Sequence, residues 1–322
     1  MYHQIADSIG KQIEKNQLPK DYLLPSINGF SEQFSVARDT VEKAYKLLKK
    51  QSYIVSVKGK GFFVTGKRSK KLSVLLVMNK LSFFKKIVYY SLLEALGDKA
   101  TVELKIHHYN PLLFKEIIES NLDKYDRYVI MPHFEEKASK REYMKVIKAI
   151  PAGELLLLDK TITALPHAMA VYQDFKLDIY EALSGLTKQL KKYNQITLIF
   201  PEYSHHPRET IEGVVMFSKD SHKKCNVIPN ANLIKLSKGQ LYVVIEDDDL
   251  AVLIKKTRLS NLEIGVDIGI ISFNETQFKE LLDITVISTD FEQMGRTAAS
   301  LLLKPKQEQI KNPFKIYQRA SI

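Results

Sequence analysis

The sequence contains a single cysteine, Cys225, and no long apolar run. One cysteine excludes an internal disulfide framework and cannot supply a thiolate metal cluster. No apolar stretch approaches the roughly 18 residues that a membrane-spanning helix needs. Met1 leads directly into polar, helix-like sequence and not into a signal peptide. We therefore predict a cytoplasmic protein that does not enter a membrane.

The motifs of common catalytic and cofactor-binding sites are also missing. The chain contains no P-loop, no GxGxxG and no GxSxG pattern. His107 with His108, and His205 with His206, are adjacent pairs, and neighbours on a strand point to opposite faces. We therefore predict loop or surface histidines and not metal ligands. The acidic run 246–249 lacks the spaced oxygen ligands and the glycine of a calcium loop. The sequence thus predicts no metal site, no cofactor and no catalytic residues.

Positive charge is concentrated at the N-terminus. Residues 1–71 hold 14 Lys and Arg against 6 Asp and Glu, which accounts for +8 of the net charge of +11. A small, strongly basic region is typical of polyanion binding, because cations displace counterions from nucleic acid. The chain is long enough for two or three domains, and we expect the first to bind DNA.

The basic region contains an amphipathic helical stretch, residues 34–50. Its apolar residues recur at spacings of three and four, so one face should be buried: Val41, Ala44, Tyr45, Leu47 and Leu48. Ser35 is a suitable N-cap for this helix. Its first two turns carry polar side chains that can reach phosphates and base edges: Arg38, Asp39, Thr40 and Lys43. The pattern indicates a recognition helix.

The flanking segments support this interpretation. Residues 2–18 predict a first helix, and Ser26 is placed to cap a short second helix over residues 27–34. Two helices joined by a tight turn form a helix-turn-helix. Two short apolar strands then enclose a basic, glycine-rich tip, Lys58, Gly59, Lys60 and Gly61. Together these elements predict a winged helix-turn-helix.

Residues 2–65 resemble the DNA-binding domain of GntR-family bacterial transcription regulators. The segments YHQIADSIGKQI, LPSINGFSEQFSVARDTVEKAYKLL and GKGFFV carry the resemblance. It implies that Ser26, Arg38, Thr40 and the wing residues at 58–61 contact DNA. Three positions depart from the family pattern: Leu23 stands for a DNA-contacting arginine, Ile27 for a glutamate and Glu42 for a frequent arginine. We expect a DNA-binding domain over residues 1–65 and a linker over 66–71.

From residue 72 onward the pattern changes to continuous apolar strands that alternate with amphipathic helices. This alternation predicts a doubly wound α/β architecture, in which ligands bind beyond the carboxyl ends of parallel strands. Phe83 or Phe84 could stack on the apolar face of a sugar ring. Polar residues end the predicted strands: Asn79, His133, Asp159, Lys160, Glu202, Glu246, Asp247, Asp248, Asp249, Asn274, Thr289 and Asp290. Carboxylates and amides pair well with vicinal hydroxyls, so the pattern favours a sugar-like ligand.

Residues 72–304 resemble the effector domain of LacI-type repressors and periplasmic sugar-binding proteins. The segments LLLLDK, VYQD, PRETIEG, EDDDLAV, ISFNE and ISTDFEQMGRTAASLLL carry this resemblance. It implies two lobes, residues 72–172 with 290–322 and residues 173–289, that close on a ligand. The pocket residues it implies are Phe83, Asp159, Lys160, Arg208, Asp248, Asn274 and Thr289. Thr210 replaces an arginine that is frequent in the family, and Asn274 replaces a usual aspartate.

A GntR-like head on a LacI-like body is the arrangement of arabinose-responsive regulators, and it also resembles fucose-responsive repressors. We therefore expect a cytoplasmic homodimer that binds a near-palindromic operator in double-stranded DNA and is released by a sugar or sugar phosphate. One alternative is a sugar-modifying enzyme with a DNA-binding head, for which Asp159 and Asp248 are the candidate pair. Another is an architectural DNA-binding dimer without an effector.

Overall fold

The computed structural model describes residues 2–65 and 71–322, and the chain divides into two compact units, Met1–Lys71 and Leu72–Ile322. The predicted linker over 66–71 lies outside the described residues except for Lys71. Within the two described ranges, no helix is both long and apolar enough to cross a membrane.

The N-terminal unit is a winged helix-turn-helix, as predicted. Its elements are α1 (Tyr2–Glu14), β1 (Leu23–Leu24), α2 (Ile27–Phe34), α3 (Arg38–Lys50), β2 (Ile54–Val57) and β3 (Gly61–Val64). The strands form an antiparallel sheet in the order β1-β3-β2. Of the five α3 residues predicted to be buried, Val41, Ala44 and Leu48 are 0% exposed and Tyr45 is 1% exposed, whereas Leu47 is half-buried. This stripe packs with α1. The segment between α1 and α2 supplies the short strand β1.

The prediction that Ser35 caps the recognition helix was wrong. Ser35 adopts a left-handed conformation, with φ of 52°, and ends α2 through its N–H, which donates to the Ser31 carbonyl. Helix α3 begins three residues later, after Ala37, which makes no side-chain cap hydrogen bond. A serine between two helices can end the first or begin the second. Here the tight turn requires a left-handed residue, which settles the choice.

The larger unit contains two lobes, each built on a mostly parallel sheet. Its helices are α4 (Phe83–Leu96), α5 (Pro111–Glu119), α6 (Lys140–Ile147), α7 (Phe175–Gly185), α8 (Thr187–Leu190), α9 (Glu209–Asp220), α10 (Asp247–Arg258), α11 (Gln277–Leu281) and α12 (Phe291–Leu303). Its strands are β4 (Leu72–Met78), β5 (Ala100–Ile106), β6 (Arg127–Ile130), β7 (Leu155–Asp159), β8 (Met169–Tyr172), β9 (Gln195–Ile199), β10 (Lys224–Ile228), β11 (Gln240–Val244), β12 (Ile268–Phe273), β13 (Thr285–Thr289), β14 (Gln309–Lys311) and β15 (Phe314–Tyr317).

The first lobe has a parallel sheet in the order β14-β8-β7-β6-β4-β5. Strand β4 explains why its sequence is a continuous apolar run. Val74 and Leu76 face a core with α4 and α12, whereas Leu75 and Val77 face a core with α5 and α6. Because both faces are covered by helices, no polar alternation is possible.

The second lobe has a sheet in the order β10-β9-β11-β12-β13-β15, in which only β15 is antiparallel to its neighbour. The predicted lobe boundary was therefore wrong at its C-terminal end. Residues 290–322 were assigned to the first lobe, but β15 pairs with β13 of the second. Ser321 strengthens this attachment, because its hydroxyl donates to the Ile270 carbonyl at 2.6 Å. Both sheets have open edges, and apolar periodicity does not say which edge a strand joins.

The chain passes between the lobes three times, after β8, after β13 and after β14. Asn312, only 2% exposed, ties these crossings together. Its backbone N–H donates to the Tyr172 carbonyl at 2.7 Å, and its side-chain amide donates to the Asp290 carbonyl at 3.0 Å. The three crossings form a hinge beside the carboxyl ends of the strands.

Candidate functional site

Helix α3 presents a polar face to solvent. Arg38, Asp39 and Lys43 are exposed and Thr40 is half-buried, all within the first two turns. Glu42 forms an ion pair with Lys46 at 2.8 Å along the same helix, which offsets the negative charge at that position. The predicted reading surface is therefore accessible and retains net positive charge.

Helix α3 is held against the turn that precedes α2. The Ser26 hydroxyl accepts a hydrogen bond from the Gly29 N–H at 3.0 Å and so caps α2, as predicted. The buried Tyr45 hydroxyl of α3 donates to the Pro25 carbonyl at 2.9 Å. The exposed Ser26 and the recognition helix therefore lie in a defined geometry.

The wing carries Lys58, Gly59 and Lys60 at an exposed tip and a half-buried Gly61 at its base. Gly59 and Gly61 have φ of +76° and +109°, a conformation that other residues rarely adopt. A Cβ on Gly61 would lie 3.0 Å from Leu23 Cδ1. The leucine that replaces a family arginine thus lies beside the base of the wing.

A cavity of about 430 Å³ lies between the two lobes at the carboxyl ends of their strands. Most of the residues predicted to bind a ligand line it: Phe83, Phe84, His133, Asp159, Asp248, Asn274 and Thr289. Asp159 and Asn274 have φ of 75° and 61°. Aspartate and asparagine tolerate this left-handed conformation better than most residues, so the chain can turn sharply at the cavity wall.

Asp159 is the centre of a buried polar network on the first lobe. Its carboxylate, only 4% exposed, accepts hydrogen bonds from Lys85 Nζ, from His133 Nε2 at 2.7 Å and from the Gln173 amide. The Gln173 amide oxygen accepts in turn from the Thr289 hydroxyl. Because Gln173 and Thr289 stand at two of the hinge crossings, this network joins the pocket to the hinge.

The charges in this network follow from burial and pairing. Burial alone would raise the pKa of Asp159, but the charge of Lys85 and the His133 hydrogen bond outweigh it and hold the pKa well below its usual range. Burial lowers the pKa of His133 despite its hydrogen bond to Asp159. At neutral pH we therefore assign an ionised Asp159, which is paired with Lys85, and a neutral His133 that donates through Nε2.

Two predicted pocket residues, Lys160 and Arg208, do not line the pocket. They line an adjoining outer cavity of about 1060 Å³ instead. There Lys160 pairs with Glu209 at 2.9 Å, and Arg208 pairs with Glu136 at 3.3 Å. Each pair joins one lobe to the other. These long side chains point along the cleft toward acids on the opposite lobe.

Aromatic contacts also cross the cleft. Tyr109 of the first lobe stacks on His205 of the second, with ring centroids 4.0 Å apart and planes at 18°. Both residues line the pocket and the outer cavity. The stacked pair therefore stands where the two cavities meet.

Sequence reasoning missed several pocket residues, and two of the histidines, His107 and His206, lie in loops as predicted but are not exposed. The missed residues that line the pocket are Lys85, Tyr109, Phe175, Gln173, His206 and Phe273. Lys85 lies in the first turn of α4 and not at a strand end, so the pattern of polar strand ends does not predict it. His206 is half-buried among aromatic rings, and burial lowers its pKa to about 4. His107 is fully buried between Phe114 and Phe134.

A metal does not explain these histidines. Among the residues that the structure describes, no group of three or more His, Cys, Asp or Glu side chains could hold a metal ion. The acidic run 246–249 instead begins α10, where negative side chains favour the positive end of the helix dipole.

Comparison with known proteins agrees with this division of the chain. Residues 1–64 match the family described as Bacterial regulatory proteins, gntR family. The HTH-type transcriptional repressor NagR of Bacillus subtilis (strain 168) is 35% identical over 65 residues, which is 20% of this chain and 27% of that protein. The chain matches no more than a third of the length of the first curated relatives. This gntR-type similarity therefore concerns the N-terminal unit.

Solved structures match most of the chain at low identity. A periplasmic binding protein/LacI transcriptional regulator from Alkaliphilus metalliredigens QYMF, complexed with D-xylulofuranose, aligns with a TM-score of 0.58 and 16% identity, over 77% of this chain and 98% of that one. The trehalose repressor from Escherichia coli aligns with a TM-score of 0.63 and 13% identity, over 77% of this chain and 100% of that one. The larger unit has the LacI-like fold.

Proposed function

We propose that this chain is a cytoplasmic, homodimeric transcription regulator that represses sugar-utilisation genes and is controlled by a sugar effector. The observation that carries the proposal is the combination of an exposed basic helix, α3, with a pocket between the two lobes of a LacI-like body. Pentoses and deoxyhexoses, with arabinose and fucose first, are the effectors to test. Neither the family match nor the fold selects among sugars.

DNA binding is assigned to the N-terminal unit. Arg38, Asp39, Thr40 and Lys43 face outward on α3, and the lysines of the wing tip are exposed. In this geometry the first turns of α3 enter the major groove, while Lys58 and Lys60 reach the phosphates or the adjacent minor groove. Two copies would read the two halves of a near-palindromic operator.

Effector control is assigned to the hinge. A ligand that contacts Asp159, Gln173 or Thr289 touches both a lobe and a chain crossing, so it has different affinities for open and closed lobes. That difference sets the largest shift in operator binding that the ligand can cause. We propose that closure changes the spacing of the two heads and releases the operator.

The state of Asp159 argues against a sugar-modifying enzyme. Three donors engage its carboxylate and its pKa is held far below neutrality, so it neither donates nor accepts a proton readily near pH 7. We therefore assign it to binding. Turnover of any bound sugar by the purified chain would reverse this assignment.

The test separates the two activities. Operator DNA is selected from a randomised duplex pool, and its affinity is measured by fluorescence anisotropy with and without arabinose, fucose, ribose and their phosphates. Arg38→Ala should lower operator affinity at least about 100-fold, a loss of about 2.7 kcal/mol. The same variant should keep the rise in melting temperature that the effector causes.

Lys11→Ala is the matched control, because Lys11 is an exposed cation on α1 and belongs neither to α3 nor to the wing. It should change operator affinity only slightly. Normal operator binding by Arg38→Ala would disprove the recognition-helix assignment. Operator binding that no sugar alters, together with no thermal shift, would favour an architectural DNA-binding protein.

A further inference from the structure

The wall that the second lobe contributes to the pocket is acidic. Glu246, Asp247 and Asp248 all line the cavity at the start of α10. Lys279 neutralises Asp247 at 2.7 Å from outside the pocket. Glu246 accepts only the Ser204 hydroxyl, at 2.6 Å, and the exposed Asp248 has no ion pair within the described ranges. Two carboxylates thus keep free acceptor capacity in the pocket.

The first lobe adds a buried acceptor. Asn79, 3% exposed, follows β4 and lines the same cavity. Its side-chain amide is hydrogen-bonded to Tyr109, and its side-chain oxygen has no donor among the residues that the structure describes. A buried amide oxygen without a partner costs free energy, so this position favours a ligand that donates a hydrogen bond.

Few basic side chains in the pocket are free to pair with an anionic ligand. Lys85 is paired with Asp159, and Lys80 is exposed, with its Nζ 6.0 Å from the centroid of the Tyr109 ring. No arginine is among the described residues that line the cavity. His206 is neutral at pH 7, because burial lowers its pKa to about 4. The pocket therefore holds more free acceptors and negative charge than free cations.

We propose that the pocket selects an uncharged sugar or an amino sugar and discriminates against sugar phosphates and sugar acids. Asn79, Glu246 and Asp248 accept hydrogen bonds from ligand hydroxyl or ammonium groups. This inference rests on the proposed function and narrows the chemical class of the effector.

The physical reason is a mismatch of charge and of hydrogen-bonding roles. A phosphate monoester carries about −1.5 to −2 at pH 7, and its oxygens are mainly acceptors. In this pocket it would face carboxylates and an amide oxygen, with no free guanidinium to bind it. Hydroxyl groups both donate and accept, and an ammonium group only donates, so both are matched to the wall.

The experiment uses the full chain and matched sets of ligands. Arabinose, ribose, glucose and galactose are compared with ribose 5-phosphate, glucose 6-phosphate, glucosamine, galactosamine, glucuronate and galacturonate by thermal shift and by isothermal titration calorimetry. For the sugar skeleton that binds best, the phosphate or acid form should bind at least about tenfold more weakly than the neutral form. The amino form should bind at least as tightly as the neutral form.

Two variants test the residues that are assigned to this selection. Glu246→Gln and Asp248→Asn keep the side-chain size but remove the charge. Each should reduce the affinity gap, which is the ratio of the affinities for the neutral and the anionic form of the sugar, to less than about threefold. Glu94→Gln, at an exposed site near the other end of α4, should leave the gap unchanged.

The outcomes separate this inference from the function on which it rests. Tighter binding of a phosphorylated or acidic sugar than of its neutral parent would overturn the inference alone, as would an unchanged gap in both variants. If none of the sugars of any class bound, the proposed sugar control and the inference would fall together.

Discussion

Removing the charge of Asp159 is the sharpest test of how the pocket is built. Asp159→Asn leaves the Lys85 ammonium group, 11% exposed, without its counter-ion between the lobes. Breaking a buried ion pair by removing one partner costs about 3–5 kcal/mol. For a folded unit of this size that corresponds to a fall in melting temperature of about 10 °C. Differential scanning calorimetry of the full chain at pH 7 should show the fall in the transition of the larger unit.

A second substitution separates charge from packing. Lys85→Met combined with Asp159→Asn removes both charges, so the double variant should recover about 1–3 kcal/mol relative to Asp159→Asn alone. The transition of the N-terminal unit should not move in either variant. A loss below about 1 kcal/mol for Asp159→Asn would refute the assignment of a buried ion pair between Lys85 and Asp159.

Three further predictions concern the wing, the outer cleft and pH. Gly61→Ala should destabilise the N-terminal unit by about 1–3 kcal/mol in calorimetry, because alanine disfavours a φ of +109°; an unchanged transition would mean that the wing adjusts freely. Lys160→Met should weaken effector binding in titration calorimetry only about two- to fivefold, because the pair with Glu209 is partly exposed; a loss above about 100-fold would make Lys160 a ligand contact. Melting temperature should fall as the pH drops from 6.5 toward 4, because His206 takes up a proton more readily when unfolded than in the fold, where its pKa is about 4. His206→Gln should show a shallower fall, and an identical pH profile would contradict this account.

The winged helix could be predicted because its signals are local. The helical spacing of Val41, Ala44 and Leu48, the cap at Ser26 and the glycines of the wing each act within a few residues. The role of Ser35 could not be predicted from such signals. Its left-handed conformation depends on the angle between α2 and α3, which tertiary packing sets.

The pocket residues that lie at strand ends could be predicted from the sequence. Those whose position depends on contacts between the lobes could not. Asp159, Asn274 and Thr289 end strands, so they converge in any sheet of this order. Lys85 reaches the pocket from helix α4, whereas Lys160 points out of the pocket and pairs with Glu209 on the other lobe. Both outcomes depend on contacts between residues about 50 to 75 positions apart in the chain, which periodicity does not encode.

The path of the chain also limits how such a protein can be rearranged in evolution. The N-terminal unit is joined to the rest once, near residue 71, whereas the two lobes are joined by three crossings. A single recombination event near residue 71 can replace the whole N-terminal unit and leave both sheets intact. No single event can exchange one lobe, because β14 and β15 belong to different sheets although they are neighbours in sequence. The N-terminal unit is therefore an exchangeable module, while the two lobes must be inherited together.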